Sequence, residues 1–259
     1  MKWWYLAMCA ILLVLAPISA AVGTPAMKWK TIETLNYNWC AATVAYEFVL
    51  TVPVDYDSGG DFTRLQVMKD GKVVLEVNDD DGIAKYTQEI PDGPMREDSR
   101  RNLLASEHLL MLPSVQGKSK CPVLMMFGYS YASSPGSLHV ISMNDKQVPF
   151  EILRLRNFSL VEIKDLDNDG VPEIVGKECL SQSFGPGILT YDPYSVYRFS
   201  ANAGSPMKLD IVLSKKYNET NYYGWAGIKC REDISVVLHP PGGGKPAIMD
   251  AAKAQALVK

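Results

Sequence analysis

Histidine is nearly absent: His108, His139 and His239 are the three in a chain of 259 residues. None stands in an HExxH pair, and no GxSxG elbow, Walker loop or GxGxxG fingerprint is present, so the usual signatures of zincins, α/β-hydrolases, P-loop enzymes and dinucleotide enzymes are missing. Cysteine is scarce too, with five residues, no CxxC and no histidine close by in sequence, which gives a zinc site little support. Neither sign of charge dominates. Lys plus Arg number 26 against 29 Asp plus Glu, a net charge of −3, which argues against a dedicated nucleic-acid binder. Beyond the N-terminus no apolar run is long enough to span a bilayer. The 47% hydrophobic and 21% charged residues are those of a folded globule, and 19 Gly with 16 Pro suit a turn-rich one.

The N-terminus is the exception to the shortage of apolar runs. Met1 and Lys2 precede an apolar stretch from Trp3 to Ile18, followed by the small residues Ser19, Ala20 and Ala21. Residues 1–20 therefore read as a secretory signal peptide. An uncleaved anchor is the rival reading, but Pro17 and the small residues sit where a peptidase cuts. Export places the protein outside the cell or in the periplasm. Cleavage removes Cys9 and leaves Cys40, Cys121, Cys179 and Cys230, an even number bound for an oxidising compartment, where two disulfides are expected. Three pairings are open to four cysteines.

Residues 21–239 read as one β domain. Leu65–Met68 and Val73–Val77 flank Asp70-Gly71, the strongest short hairpin signal. Cys121–Tyr129 and Ser137–Met143 form a second hairpin about a Ser, Pro and Gly cluster. Val148–Leu155, Leu160–Lys164, Tyr194–Ser200 and Lys208–Ser214 continue the series. Strand after strand without helical periods predicts an all-β fold, mainly antiparallel, either a divergent or partial propeller-like assembly or a sandwich. Helix is expected at Ser99–Leu112, where Leu103, Leu104, His108 and Leu112 fall near one face. The breaker Pro240–Gly244 then leads into Ala247–Val258, rich in helix formers, so residues 240–259 are expected to be a linker and a mobile helical tail.

The residues richest in chemistry are Asp165, Leu166, Asp167, Asn168, Asp169, Gly170, Val171, Pro172 and Glu173. Carboxylates at loop positions one, three, five and nine, with Gly at six and the Val171 carbonyl at seven, are the oxygen set a hard cation such as calcium takes. An EF-hand would place Glu at position twelve between helices, but Gly176 stands there and the flanks alternate like strands. The run VEIKDLDNDGVPEIVG resembles the calcium-loop core of FG-GAP or VCBS-type repeats, present here in a single clear copy. That resemblance implies a loop joining two strands of one propeller blade, with Asp165, Asp167, Asp169 and Glu173 as calcium ligands. It departs from the usual pattern in carrying Glu173 where those repeats have Asp.

A second cluster, Tyr217, Tyr222, Tyr223 and Trp225 with Asn218 and Asn221, offers aromatic faces suited to a sugar ring or a protein partner at the cell surface, or to packing beneath a turn. His108 and His139 read as structural. The sequence thus points to an exported calcium-binding β module with a structural or partner-binding role and no legible catalytic apparatus. The alternative is a secreted hydrolase, plausibly carbohydrate-acting, whose scaffold the calcium loop braces; it would need two carboxylates, or a nucleophile with a histidine, gathered in a concave pocket.

Overall fold

A computed structural model describes residues 27–41, 45–56, 62–83, 106, 108–112, 121–127, 136–178, 182–200, 205–228 and 235–258. The expected signal peptide, residues 1–20, lies outside them, as do Cys179 and Cys230. Among the described residues the fold is all-β and antiparallel, with two helices. The described strands form four four-stranded sheets, the first two simple meanders and the last two interleaved along the chain, and none is closed on itself.

The first sheet is built in chain order from β1 (Trp29–Tyr37), β2 (Tyr46–Pro53), β3 (Phe62–Lys69) and β4 (Lys72–Ile83). Its β3–β4 hairpin is the one the Asp-Gly pair announces, with Asp70 at φ 51° and Gly71 at φ 71°, the left-handed geometry whose twist matches the flanking strands. The second sheet, β5 (Leu110–Leu112), β6 (Val123–Phe127), β7 (Leu138–Met143) and β8 (Pro149–Leu155), is likewise a simple meander.

Both faces of this second sheet are buried. Leu124, Met126, Ile141 and Met143 join Trp39, Phe48, Leu65 and Val77 of the first-sheet region in one core. Val123, Met125, Leu138 and Val140, alternating with them, join Phe158, Ile174 and Tyr197 of the third sheet in another. Side chains alternate between faces along a strand, so a strand covered on both sides must be apolar throughout. That is why β6 reads Val-Leu-Met-Met-Phe. Cross-links pin the first interface: the Cys40–Cys121 disulfide, the Trp39 indole N–H donating to the Pro122 carbonyl at 2.7 Å, and the Tyr46 hydroxyl donating to the Gln147 carbonyl at 2.8 Å.

The third sheet has the order β9 (Ser159–Lys164), β10 (Glu173–Lys177), β13 (Tyr194–Arg198), β14 (Lys208–Leu209). Between β10 and β13 the chain leaves to lay down β11 (Ser183–Gly185) and β12 (Ile188–Thr190), which pair in the fourth sheet with β15 (Ser235–Leu238) and β16 (Ala247–Asp250). The strand expected over Lys208–Ser214 stops at Leu209, and α1 (Ile211–Asn221) follows. Asp210 causes the change: its carboxylate accepts the Val212 and Leu213 N–H groups at 3.0 and 2.9 Å, an N-cap that starts a helix despite the β-branched residues after it. Because β14 is only two residues long, α1 finishes the work of a strand along β13. Asn218 accepts from Tyr194 N–H and donates to Tyr194 C=O, and Ser214 Oγ accepts from Val196 N–H.

Two further expectations change. Around His108 the described residues form no helix; Leu110–Leu112 is β5, with all three side chains buried. Residues 99–105 and 107 of that expected helix lie outside the described set. At the C-terminus, Ala247–Asp250 pairs with β15, and α2 (Ala251–Val258) buries Ala251 and Ala254 against the same sheet. The tail expected to be a mobile appendage is thus part of the fourth sheet, because the Pro-Gly breaker makes a turn back to β15 rather than an exit. No helix of the described residues is long and apolar enough to cross a membrane.

Candidate metal centre

The acidic run joins two paired strands. In β9 and β10, Lys164 faces Glu173 and Ile163 faces Ile174, so residues 165–172 close a β-hairpin. Two left-handed residues make the reversal possible, Asn168 at φ 63° and Gly170 at φ 87°. Asn tolerates this region by local hydrogen bonding and Gly by lacking a Cβ. The aspartates shape the loop through their own backbone. Asp165 accepts from the N–H groups of Asp169 (3.2 Å) and Gly170 (2.8 Å), Asp167 from Asp169 (3.2 Å), and Asp169 from Val171 (2.8 Å).

One carboxylate oxygen each from Asp165, Asp167 and Glu173 lies within 4.8 Å of the other two. Calcium–oxygen distances of 2.3–2.6 Å let two ligands of one ion stand up to about 5 Å apart, so this trio can share a calcium. Glu173 anchors the set from inside. It is fully buried at the start of β10, and its Oε2 accepts the Leu166 N–H at 2.8 Å. Burial, then the neighbouring Asp169 and Asp165 charges, push its carboxyl above the usual carboxylate range. Asp169 and Val171, also read as ligands, stand differently: the Asp169 carboxylate is outside the trio, and Val171 enters through its N–H on Asp169.

Sequence reasoning missed Arg198, at the end of β13. Its guanidinium contacts Asp167 and lies 3.4 Å from Glu173, 3.9 Å from Asp169 and 3.9 Å from Asp210. Nothing local in the sequence marks it; the pairing of β10 with β13 brings it there. Beyond it, Arg198, Ser200, Lys208, Asp210 and Ile211 line an open cavity of about 390 Å³.

Three of the four clustered aromatics, Tyr217, Tyr222 and Trp225, are half-buried. Tyr217 on α1 packs edge-on to Tyr194 and donates to Glu162, and burial raises its hydroxyl well above the ordinary value. Tyr222 stacks near Tyr191 and Tyr194, its hydroxyl accepting the Asp192 N–H, and burial pushes it up to about 12. Tyr223 contacts Tyr222 and His239; it is 41% exposed, whereas Trp225 is half-buried. His239, read in sequence only as a residue before two prolines, is half-buried beneath that ring.

Elsewhere the structure assembles a nucleophile-and-histidine group that the sequence did not reveal. Ser137 precedes β7 and His139 is its second residue; Asp79 reaches them from β4 of the first sheet, and Glu151 lies on β8, the neighbouring strand of their own sheet. His139 Nδ1 is 2.6 Å from Glu151 Oε1, Nε2 is 2.8 Å from Asp79 Oδ2, and Ser137 Oγ donates to that same Asp79 oxygen. A hydrolytic triad needs a neutral Nε2 to take the serine proton. Here Asp79 accepts from Ser137 and also lies on His139 Nε2; burial lowers the His139 pKa but is outweighed by the Asp79 and Glu151 carboxylates, which push it upward. The group ties sheets together. His108, also buried, meets Glu33 of β1 at 3.0 Å in a smaller version of the same contact.

Compared with known proteins, the chain matches no family model and no curated sequence.

Proposed function

We propose that the protein is an exported calcium-binding β module in which the ion clips the β9–β10 hairpin, with a structural or partner-binding role. The observation that carries this reading is the meeting of Asp165, Asp167 and Glu173 oxygens within 4.8 Å, from both ends of one strand-to-strand loop. The FG-GAP or VCBS resemblance of the same residues supports it. Asp165, Asp167 and Glu173 would hold the ion; Asp169 and the Val171 carbonyl are the further oxygens within the loop. Calcium supplies a double positive charge that offsets the mutual repulsion of these carboxylates. The protein's part is to bury Glu173, fix Leu166 on it and hold the turn at Asn168 and Gly170, so that the oxygens are gathered before the ion arrives. A surface partner, protein or carbohydrate, fits the export that residues 1–20 lead one to expect.

Thermal melts in calcium and in chelator test the reading. At a free calcium concentration about a hundredfold above a Kd on the order of 10⁻⁴ M, stabilisation is about 2.7 kcal/mol, or roughly 5–10 °C in Tm. Asp167→Asn should abolish the difference between the two conditions. A wild type that melts identically in both would remove the proposal.

A further inference from the structure

The guanidinium of Arg198 is a cation from another strand standing among the carboxylates that a metal ion would use. It contacts Asp167 and lies 3.4 Å from Glu173, two of the three residues whose oxygens converge. Its other neighbours are Asp169 and Asp210, each at 3.9 Å. Four carboxylates from the loop, from β10 and from the cap of α1 therefore share one positive charge. The side chain is 36% exposed, so it has a route outward, and the cavity lined by Ser200, Lys208 and Ile211 adjoins it.

We propose that Arg198 is the built-in competitor of the divalent ion: it neutralises the acidic loop when calcium is absent and is displaced when calcium binds. This rests on the calcium reading above and adds to it the residue that sets the affinity. The argument is electrostatic. Asp167 and Glu173 cannot give the same lone pairs to a guanidinium and to a metal, and even after it swings out, a guanidinium about 6 Å from the divalent ion repels it by an amount worth roughly tenfold in Kd at water-like screening. The competition also has a mechanical side. Arg198 ends β13, and the Asp210 it touches caps α1, so removing its guanidinium from the loop changes the charge facing the start of that helix.

The test is calcium titration by calorimetry on the full mature chain, comparing wild type with Arg198→Met, which keeps the aliphatic stem and loses the charge, and Arg198→Lys, which keeps a charge. Arg198→Met should bind calcium at least tenfold more tightly and melt lower than wild type in chelator, while Arg198→Lys stays near wild type. Unchanged or weaker calcium binding by a folded Arg198→Met overturns the proposal. Should that variant fail to fold, the arginine side-chain Nε–Hε resonance of Arg198 in the wild type decides. A shift during calcium titration is the expected result, and a resonance that stays put while calcium binds overturns it. If the wild type gives no calcium heat at all, the function proposed above fails; gain of binding in Arg198→Met would then still support the competitor role, and no gain would end it.

Discussion

His139→Gln is the substitution with the largest expected cost. His139 is wholly buried, with Glu151 at 2.6 Å on one ring nitrogen and Asp79 at 2.8 Å on the other. Burial by itself lowers the imidazole pKa, but the two carboxylate hydrogen bonds and charges outweigh it, and the net direction is upward from 6.5. Only the doubly protonated ring can donate to both acids. Glutamine removes the charge and carries both of its N–H groups on one nitrogen, so one of the two carboxylates meets an acceptor oxygen and neither meets a cation. Losing one partner of a buried ionic group costs about 3–5 kcal/mol, roughly 10 °C in Tm for a protein of this size. The sign of the pH dependence follows. Because the folded pKa lies above the unfolded one, the stabilisation is complete below about pH 6.5 and is lost as pH rises through the folded value. Urea unfolding of the wild type should therefore show stability falling on the alkaline side, and His139→Gln should lack that component. A loss under about 1 kcal/mol at pH 6, or an unaltered alkaline limb in the variant, would refute the assignment of His139 as a charged tie.

Gly176→Ala should be strongly destabilising, because a Cβ there would stand 2.1 Å from the Cζ of the buried Phe158 ring. Overpacking of this kind costs about 1–3 kcal/mol, and pairing it with Phe158→Leu should recover part of the loss in denaturant midpoint. Reducing the Cys40–Cys121 bond, which spans a sequence separation of 81 residues, should lower stability. Chain entropy puts the loss at about 4.5 kcal/mol, to be read as a drop in Tm on adding reductant; an unchanged Tm would argue against that pairing.

What could be read from the sequence was what depends on neighbours in sequence. The Asp70-Gly71 hairpin, the β6–β7 hairpin and the strands on either side of the acidic loop all rest on period-two alternation and turn chemistry. Helix α1 was missed because Ile211, Val212 and Leu213 look like the end of a strand, although Asp210 ahead of them is a helix-start signal. The C-terminal residues were misjudged because Pro240–Gly244 marks a turn equally well as an exit, and only the edge offered by β15 distinguishes the two. At the candidate site, Asp165, Asp167 and Glu173 were legible as a pattern. Arg198 was not, since its place depends on a strand order that skips β11 and β12, and neither was the bonding of His139 to Asp79 and Glu151, 60 and 12 residues away.

The two-sided burial of β5–β8 has a bearing on how the chain reaches this state. A fragment ending after Leu155 would leave Leu110, Val123, Met125, Leu138 and Val140 uncovered, an oily wall rather than a finished surface. Neither half of the molecule is then a natural stopping point. The middle meander acts as a keystone, and a chain that pauses before adding Phe158, Ile174 and Tyr197 exposes its stickiest face to whatever lies nearby.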